Sequence, residues 1–253
     1  MRHSLMRHPQ KPGCGPGLLS APILALWICA AAWVASGPAR AADGQWQQRP
    51  TGLLSPLSGV AYGTNRFVAV GSLVALGTFS NTVNHGIILT SDTGARWRSQ
   101  PVPLNAMLAA VTYGAGAFVA VGDHGTILTS PTGVEWTARR SGTPYLLTGV
   151  GFGGGQFVAV GNLGTILTSP DGMSWTTQTS GLKNMLYRVA GWDGGYAVVG
   201  DAGTILRSRN AMQWTRQTLL PAFVVLDVAY GAGSLLAVGE YGNIYQAVVA
   251  EPR

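Results

Sequence analysis

The chain has 253 residues; 47% are hydrophobic, only 10% are charged, and 36 are glycine. That composition supports a sizeable core of short strands joined by tight turns, and excludes a protein of long amphipathic helices, whose wet faces need Glu, Lys and Arg. Most of the formal net charge of +6 belongs to the N-terminus: without Arg2, Arg7, Lys11 and Arg40 there remain 12 basic and 10 acidic residues, a net charge of +2. No basic patch interleaved with aromatics is left to track a nucleic acid.

The first segment reads as an export signal. Arg2, Arg7 and Lys11 precede an apolar stretch from Leu18 to Ala35, and Ala39-Arg40-Ala41 is a small-x-small cleavage pattern. A cleavable signal over residues 1–41 is expected, with a mature domain over 42–253 that is periplasmic or secreted and keeps no membrane span. The apolar stretch is also long enough for an uncleaved anchor, which stands as the alternative. Cys29 follows Trp27-Ile28, not the small residue that a lipid-attachment site wants. Cys14 and Cys29 are the only cysteines, so the mature chain is expected to have neither thiol nor disulfide.

The rest is repetitive. Trp97, Trp136, Trp175 and Trp214 are each 39 residues apart. FVAVG begins at Phe67, Phe118 and Phe157, and recurs as YAVVG at Tyr196 and LLAVG at Leu235. GTILTS begins at Gly125 and Gly164, with variants at Gly86, Gly203 and Gly242. Each unit predicts four strands: a, ending in runs such as LTGVGF; b, the FVAVG run; c, the GTILTS run; and d, starting at the Trp. Two-residue links join b to c (Asp123-His124, Asn162-Leu163, Asp201-Ala202, Glu240-Tyr241), flanked by glycines that suit positive φ.

A four-stranded unit of this length is the mark of a propeller blade. The fold class expected is all-β: a five-bladed β-propeller of four-stranded blades. Repeats centre on the four tryptophans, and a fifth is split between residues 43–50 and 223–247. The last unit lacks a Trp-led strand d, while Trp46 stands 51 residues before Trp97. The N-terminal strand is therefore expected to complete the C-terminal blade and close the ring, which removes the sheet edges that invite aggregation.

Residues 90–97 (TSDTGARW) fit the Asp-box pattern Ser/Thr-x-Asp-x-Gly-x-x-Trp. Residues 168–175 (TSPDGMSW) are a variant with the Asp shifted by one; residues 129–136 have Pro131 in its place, and residues 207–214 keep only the Trp. Over about residues 43–247 the repeat resembles the Asp-box (BNR) propellers of the sialidase-like superfamily, and in particular the photosystem II stability and assembly-factor family. The resemblance implies a propeller whose Asp-boxes are structural turns away from the functional face. Photosynthetic members have seven blades, whereas this chain supplies five repeats.

Loops b–c and d–a share one face of a propeller, and ligands usually meet that face or the channel mouth. The first b–c link is enlarged: residues 72–85 replace a two-residue turn, and Leu76, Phe79 and His85 are candidates for partner contact. A neutral hairpin extension is the alternative, since long surface insertions cost little. Ser72, Asp123, Asn162, Asp201 and Glu240 occupy one repeat position, and His124 and Tyr241 the next. These groups suit a sugar hydroxyl or a cation, but Asp and Asn are also plain turn residues. Arg188 and Asp227, 39 apart where other units have Gly59, Ala110 and Gly149, are expected to form a charge pair at the channel. Arg98, Arg139, Arg140, Lys183 and Arg216, with Tyr145 and Phe223, give the d–a loops a modest basic character.

Catalysis finds little support. The nearest string to the Phe/Tyr-Arg-Ile-Pro motif of sialidases is residues 187–190 (YRVA), no carboxylate pair stands out, and the mature chain has only His85 and His124. The expectation is a non-enzymatic platform with no cofactor or metal, binding a protein partner in the cell envelope. The alternative is a carbohydrate-binding or glycoside-processing Asp-box propeller.

Overall fold

The structure is a computed structural model that describes residues 46–73 and 85–249. It divides into two compact units, residues 1–47 and 48–253, and the second holds all the described strands. Four antiparallel sheets have four strands each. Sheet 1 is β1 (Leu57–Gly63), β2 (Arg66–Leu73), β3 (His85–Ser91) and β4 (Arg98–Gln100). Sheet 2 is β5 (Leu108–Gly114), β6 (Ala117–Gly122), β7 (Ile127–Ser130) and β8 (Thr137–Arg139). Sheet 3 is β9 (Leu147–Gly153), β10 (Gln156–Gly161), β11 (Ile166–Ser169) and β12 (Thr176–Gln178). Sheet 4 is β13 (Leu186–Trp192), β14 (Gly195–Gly200), β15 (Thr204–Ser208) and β16 (Thr215–Thr218). Sheet 5 has three: β17 (Val225–Gly231), β18 (Ser234–Gly239) and β19 (Ile244–Val248).

The expected strands a, b, c and d are thus present in chain order, in a propeller-like arrangement. Inner strands stack on one another, β1 on β5, β5 on β9, β9 on β13 and β13 on β17. No comparable packing joins β17 to β1. The fourth strand expected for sheet 5 is not seen where it is described: residues 46–50 carry no strand and Trp46 is exposed. Residues 43–45 lie outside the described residues.

The alternation of each strand explains the stacking. In β10, Phe157 and Ala159 face sheet 2, where they pack with Val119, Val121 and Ile127. Val158 and Val160 face sheet 4, packing with Leu186, Tyr196 and Val198. A sheet buried on both sides reads as continuous FVAV, with no polar alternation. Each such Val, Leu or Phe contributes roughly 1.5–3 kcal/mol by leaving water.

The c–d turn is clamped in four sheets, alike except that Ser208 accepts the N–H two residues on, at 3.3 Å. Ser91, Ser130 and Ser169 each accept the backbone N–H three residues on through Oγ, at 2.8 Å. The Trp indole then donates to the carbonyl of Gly94, Gly133, Gly172 or Ala211, at 2.8 to 3.1 Å. The residue that caps the turn is Thr93, Thr132, Asp171 or Asn210, each accepting a backbone N–H two residues on. This revises the reading of residues 207–214, where Asn210 does the work of Asp171. Asp92 stands one position earlier and instead pairs with Arg66 at 2.9 Å, while Arg66 also reaches Thr132 O in sheet 2.

Candidate binding face

Register puts the b–c turns, the starts of the a strands and the ends of the d strands at one end of every sheet: Leu108 pairs with Gly122, and Ile127 with Arg139. The residue after each VG run anchors this end. Ser72, Asp123, Asn162, Asp201 and Glu240 donate their backbone N–H to Pro56, Met107, Leu146, Met185 and Val224 carbonyls, at 2.9 to 3.3 Å. The glycine before each is needed for closeness, not for positive φ. Gly122 and Gly161 are extended, and a Cβ on either would collide with the Met107 or Leu146 carbonyl. Positive φ falls instead on His124, Leu163, Ala202 and Tyr241, between 50° and 58°, and on the glycine after each.

The polar side chains at this position differ in what they meet. Asp123 is buried, with Oδ2 3.3 Å from His124 Nδ1 and Oδ1 unpartnered. Asn162 Oδ1 is also buried without a partner. Asp201 accepts the Tyr187 hydroxyl at 2.7 Å and the Met185 N–H at 3.3 Å. That hydrogen bond, with burial, pushes the Tyr187 phenol up to about 12. Glu240 is exposed and accepts the Val224 N–H at 3.3 Å. Tyr187 comes within reach because strand a is bulged: Ser58, Ala109, Thr148, Tyr187 and Leu226 all drop out of register. Sequence reasoning missed this pair, although Tyr187 is the only aromatic at that repeat position.

These contacts are local to each turn. Among the described residues, no three His, Cys, Asp or Glu side chains come together as a metal site, so the carboxylates at 123, 201 and 240 do not converge on a cation. His124 and Tyr241 are exposed, and Tyr241 packs against Phe223 with ring centroids 4.8 Å apart. The first b–c hairpin extends its pairing to Leu73 opposite His85, which is exposed. Leu76 and Phe79 lie outside the described residues.

Arg188 and Asp227 form no ion pair. Arg188 Nη1 donates to the Thr148 and Tyr187 carbonyls at 2.7 and 3.0 Å, which ties sheet 4 to sheet 3. Asp227 is exposed and accepts the N–H of Val228. Carbonyls freed by the Thr148 and Tyr187 bulges satisfy the guanidinium before a carboxylate is reached.

A groove of about 490 Å³ opens at this end between the loops of sheets 2 and 3. Tyr145, Leu163, Thr165, Gln178, Ser180 and Lys183 line it. Tyr145 and Leu163 are both about half exposed, so the groove offers apolar contact beside backbone and hydroxyl groups and one ammonium. No catalytic grouping is assembled there.

Neither a family model nor a curated protein matches the chain. Solved structures do. YCF48 bound to a D1 peptide superposes with a TM-score of 0.55 at 18% identity, over 77% of this chain and 64% of that one. The fold resembles that of YCF48. YCF48 from Cyanidioschyzon merolae gives 0.52 at 18% identity, over 76% of this chain and 66% of that one. The computationally designed Ika8 protein gives 0.58 at 13%, over 76% and 58%. The chain thus spans somewhat under two thirds of the YCF48 structures, and the likeness is one of fold. No helix among the described residues is long and apolar enough to cross a membrane.

Proposed function

We propose that this chain is an exported, non-catalytic platform that binds a protein partner of the cell envelope. The export signal is residues 1–41, and the working domain is residues 42–253. The observation that carries the reading is the groove beside Tyr145, Leu163 and Lys183, at the end of the sheets where the short turns gather. It is open, with the Tyr145 and Leu163 side chains beside Thr165, Gln178, Ser180 and Lys183, a mix of apolar and hydrogen-bonding groups that suits a peptide segment. The likeness to a fold solved with a peptide bound supports the same reading. The ends of the enlarged link, Leu73 and His85, pair at the same end, and the link of residues 72–85, with Phe79 and His85, is the second contact of this proposal.

The test is affinity capture of the tagged, exported protein from an envelope extract, with co-purifying proteins identified by mass spectrometry. One partner in near-stoichiometric yield is expected, lost when Lys183→Glu is combined with Tyr145→Ala. Replacing residues 72–85 with the Asn-Leu turn of 162–163 is expected to keep the fold and weaken capture. No partner above background would sink the platform reading and send the protein to a glycan screen.

A further inference from the structure

The joints between sheets follow one rule. Tyr113 at the end of β5 lies over Gly63 of sheet 1, and Phe152 at the end of β9 lies over Gly114 of sheet 2. A Cβ on either glycine would overlap the ring. The aromatic is a key and the preceding sheet's glycine is its seat. At the next joint the order is inverted: Gly153 takes the Gly191-Trp192 backbone, and the Trp192 ring stacks on Tyr230, centroids 4.8 Å apart and 14° from parallel.

Both ends of the array are left unmatched. Tyr62 stands at the key position of sheet 1, has no sheet before it among the described residues, and is 54% exposed. Gly231 stands at the seat position of sheet 5, with nothing within 4 Å of its Cβ direction. The surrounding faces agree. Val158, Val160 and Ile166, which face the following sheet, are each 0% exposed, whereas their repeat equivalents Leu236, Val238 and Ile244 are 47, 43 and 71% exposed. On the other end, Leu57 is 44% exposed where Leu108 and Leu147 are 1% and 0%. Two apolar faces of this kind on one molecule are a poor match for a free monomer.

We infer that these two faces are the halves of one head-to-tail interface, the fifth sheet of one copy taking the first sheet of a second copy, with Tyr62 seated on Gly231. The faces are complementary, not identical, so the contact is heterologous and propagates to a ring or an open assembly. Joining the ends within one chain would require every internal joint to turn further. Gly63, Gly114 and Gly153 are packed closely against the neighbouring sheet at those joints, and two copies can meet without disturbing any of them. The five sheets also superpose on longer chains, over 58 to 66% of their length.

The experiment uses the exported chain with Cys14→Ala and Cys29→Ala, carrying either Tyr62→Cys or Gly231→Cys. At a joint of the observed geometry the two Cβ atoms lie within disulfide reach. Oxidation of the mixed variants is expected to give a cross-linked dimer that neither variant gives alone. A chain carrying both cysteines that cross-links only within itself would overturn the proposal in favour of ring closure. Absence of any cross-link, or homodimers from one variant, would overturn it too. In parallel, Gly231→Phe fills a seat that is empty in the monomer. It is expected to keep the circular dichroism of the parent and to weaken concentration-dependent sedimentation by more than about tenfold. Unchanged sedimentation would count against the seat.

Discussion

Tyr187 and Asp201 show how one repeat differs from its neighbours. The bulge that lifts position 187 out of register recurs in every inner strand, but only here does it carry a phenol, and only here does the turn carboxylate gain a hydroxyl donor. The bond favours the neutral phenol, so the folded pKa stands above its ordinary 10.0 at about 12. A raised folded pKa stabilises the fold fully below pH 10 and loses that contribution as pH rises through the folded value. Ultraviolet titration is expected to show a step near pH 12 that Tyr187→Phe removes, while the ionisation of Tyr196, whose burial also raises its phenol above 10.0, remains. The same variant should cost about 1 kcal/mol in urea unfolding at neutral pH, the net worth of an ordinary hydrogen bond, since solvent screens the charged acceptor at this part-buried position. A titration that is the same in the parent and in Tyr187→Phe above pH 10 would show that the hydroxyl is not held. Asp171 moves the other way: the N–H groups of Met173 and Ser174 hold its carboxyl below 3.8, so its help to the c–d turn fades only as acid takes pH through that lowered value.

At the scale of elements, glycine decides what can pack. The four glycines ahead of β-turns in the FVAVG and YAVVG runs look in sequence like turn glycines, but three-dimensional closeness to the next carbonyl is what demands them. The strand order was legible because the same apolar runs, bounded by turn residues, recur five times, and the Trp spacing marks where each unit ends. Contacts between repeats were not legible. Arg188 was read against Asp227 one repeat away, yet its guanidinium finds the carbonyls of bulges that no residue pattern announces. Asn210 was passed over because an amide caps a turn as well as a carboxylate does. The key-and-seat rule makes a direct prediction. Gly114→Ala drives a methyl into the Phe152 ring and should cost about 1–3 kcal/mol, as overpacking does. Gly231→Ala meets open space and should cost under about 0.5 kcal/mol. Dilute thermal or urea unfolding of the two variants compares them, and equal losses would discard the rule.

For the whole molecule, stability in a stacked array is a sum over units and their nearest-neighbour joints. Sheets 2, 3 and 4 are held on both faces, while sheet 5 is held on one by Val199, Val225 and Ala237. Its edge strand β19 has no fourth strand beside it among the described residues. Local opening of sheet 5 therefore breaks one joint, and opening of sheet 3 breaks two. Amide exchange should follow that order, with β17, β18 and β19 exchanging at least about tenfold faster than β9, β10 and β11 in dilute protein. Self-association at the ends changes the pattern in one place. Raising the concentration should slow exchange in sheet 5, and on the exposed side of β1, while sheet 3 stays as it was. Uniform protection across all five sheets at every concentration would mean that the fifth sheet already has a partner within its own chain, since only a covered face can hold its amides as long as the middle of the array does.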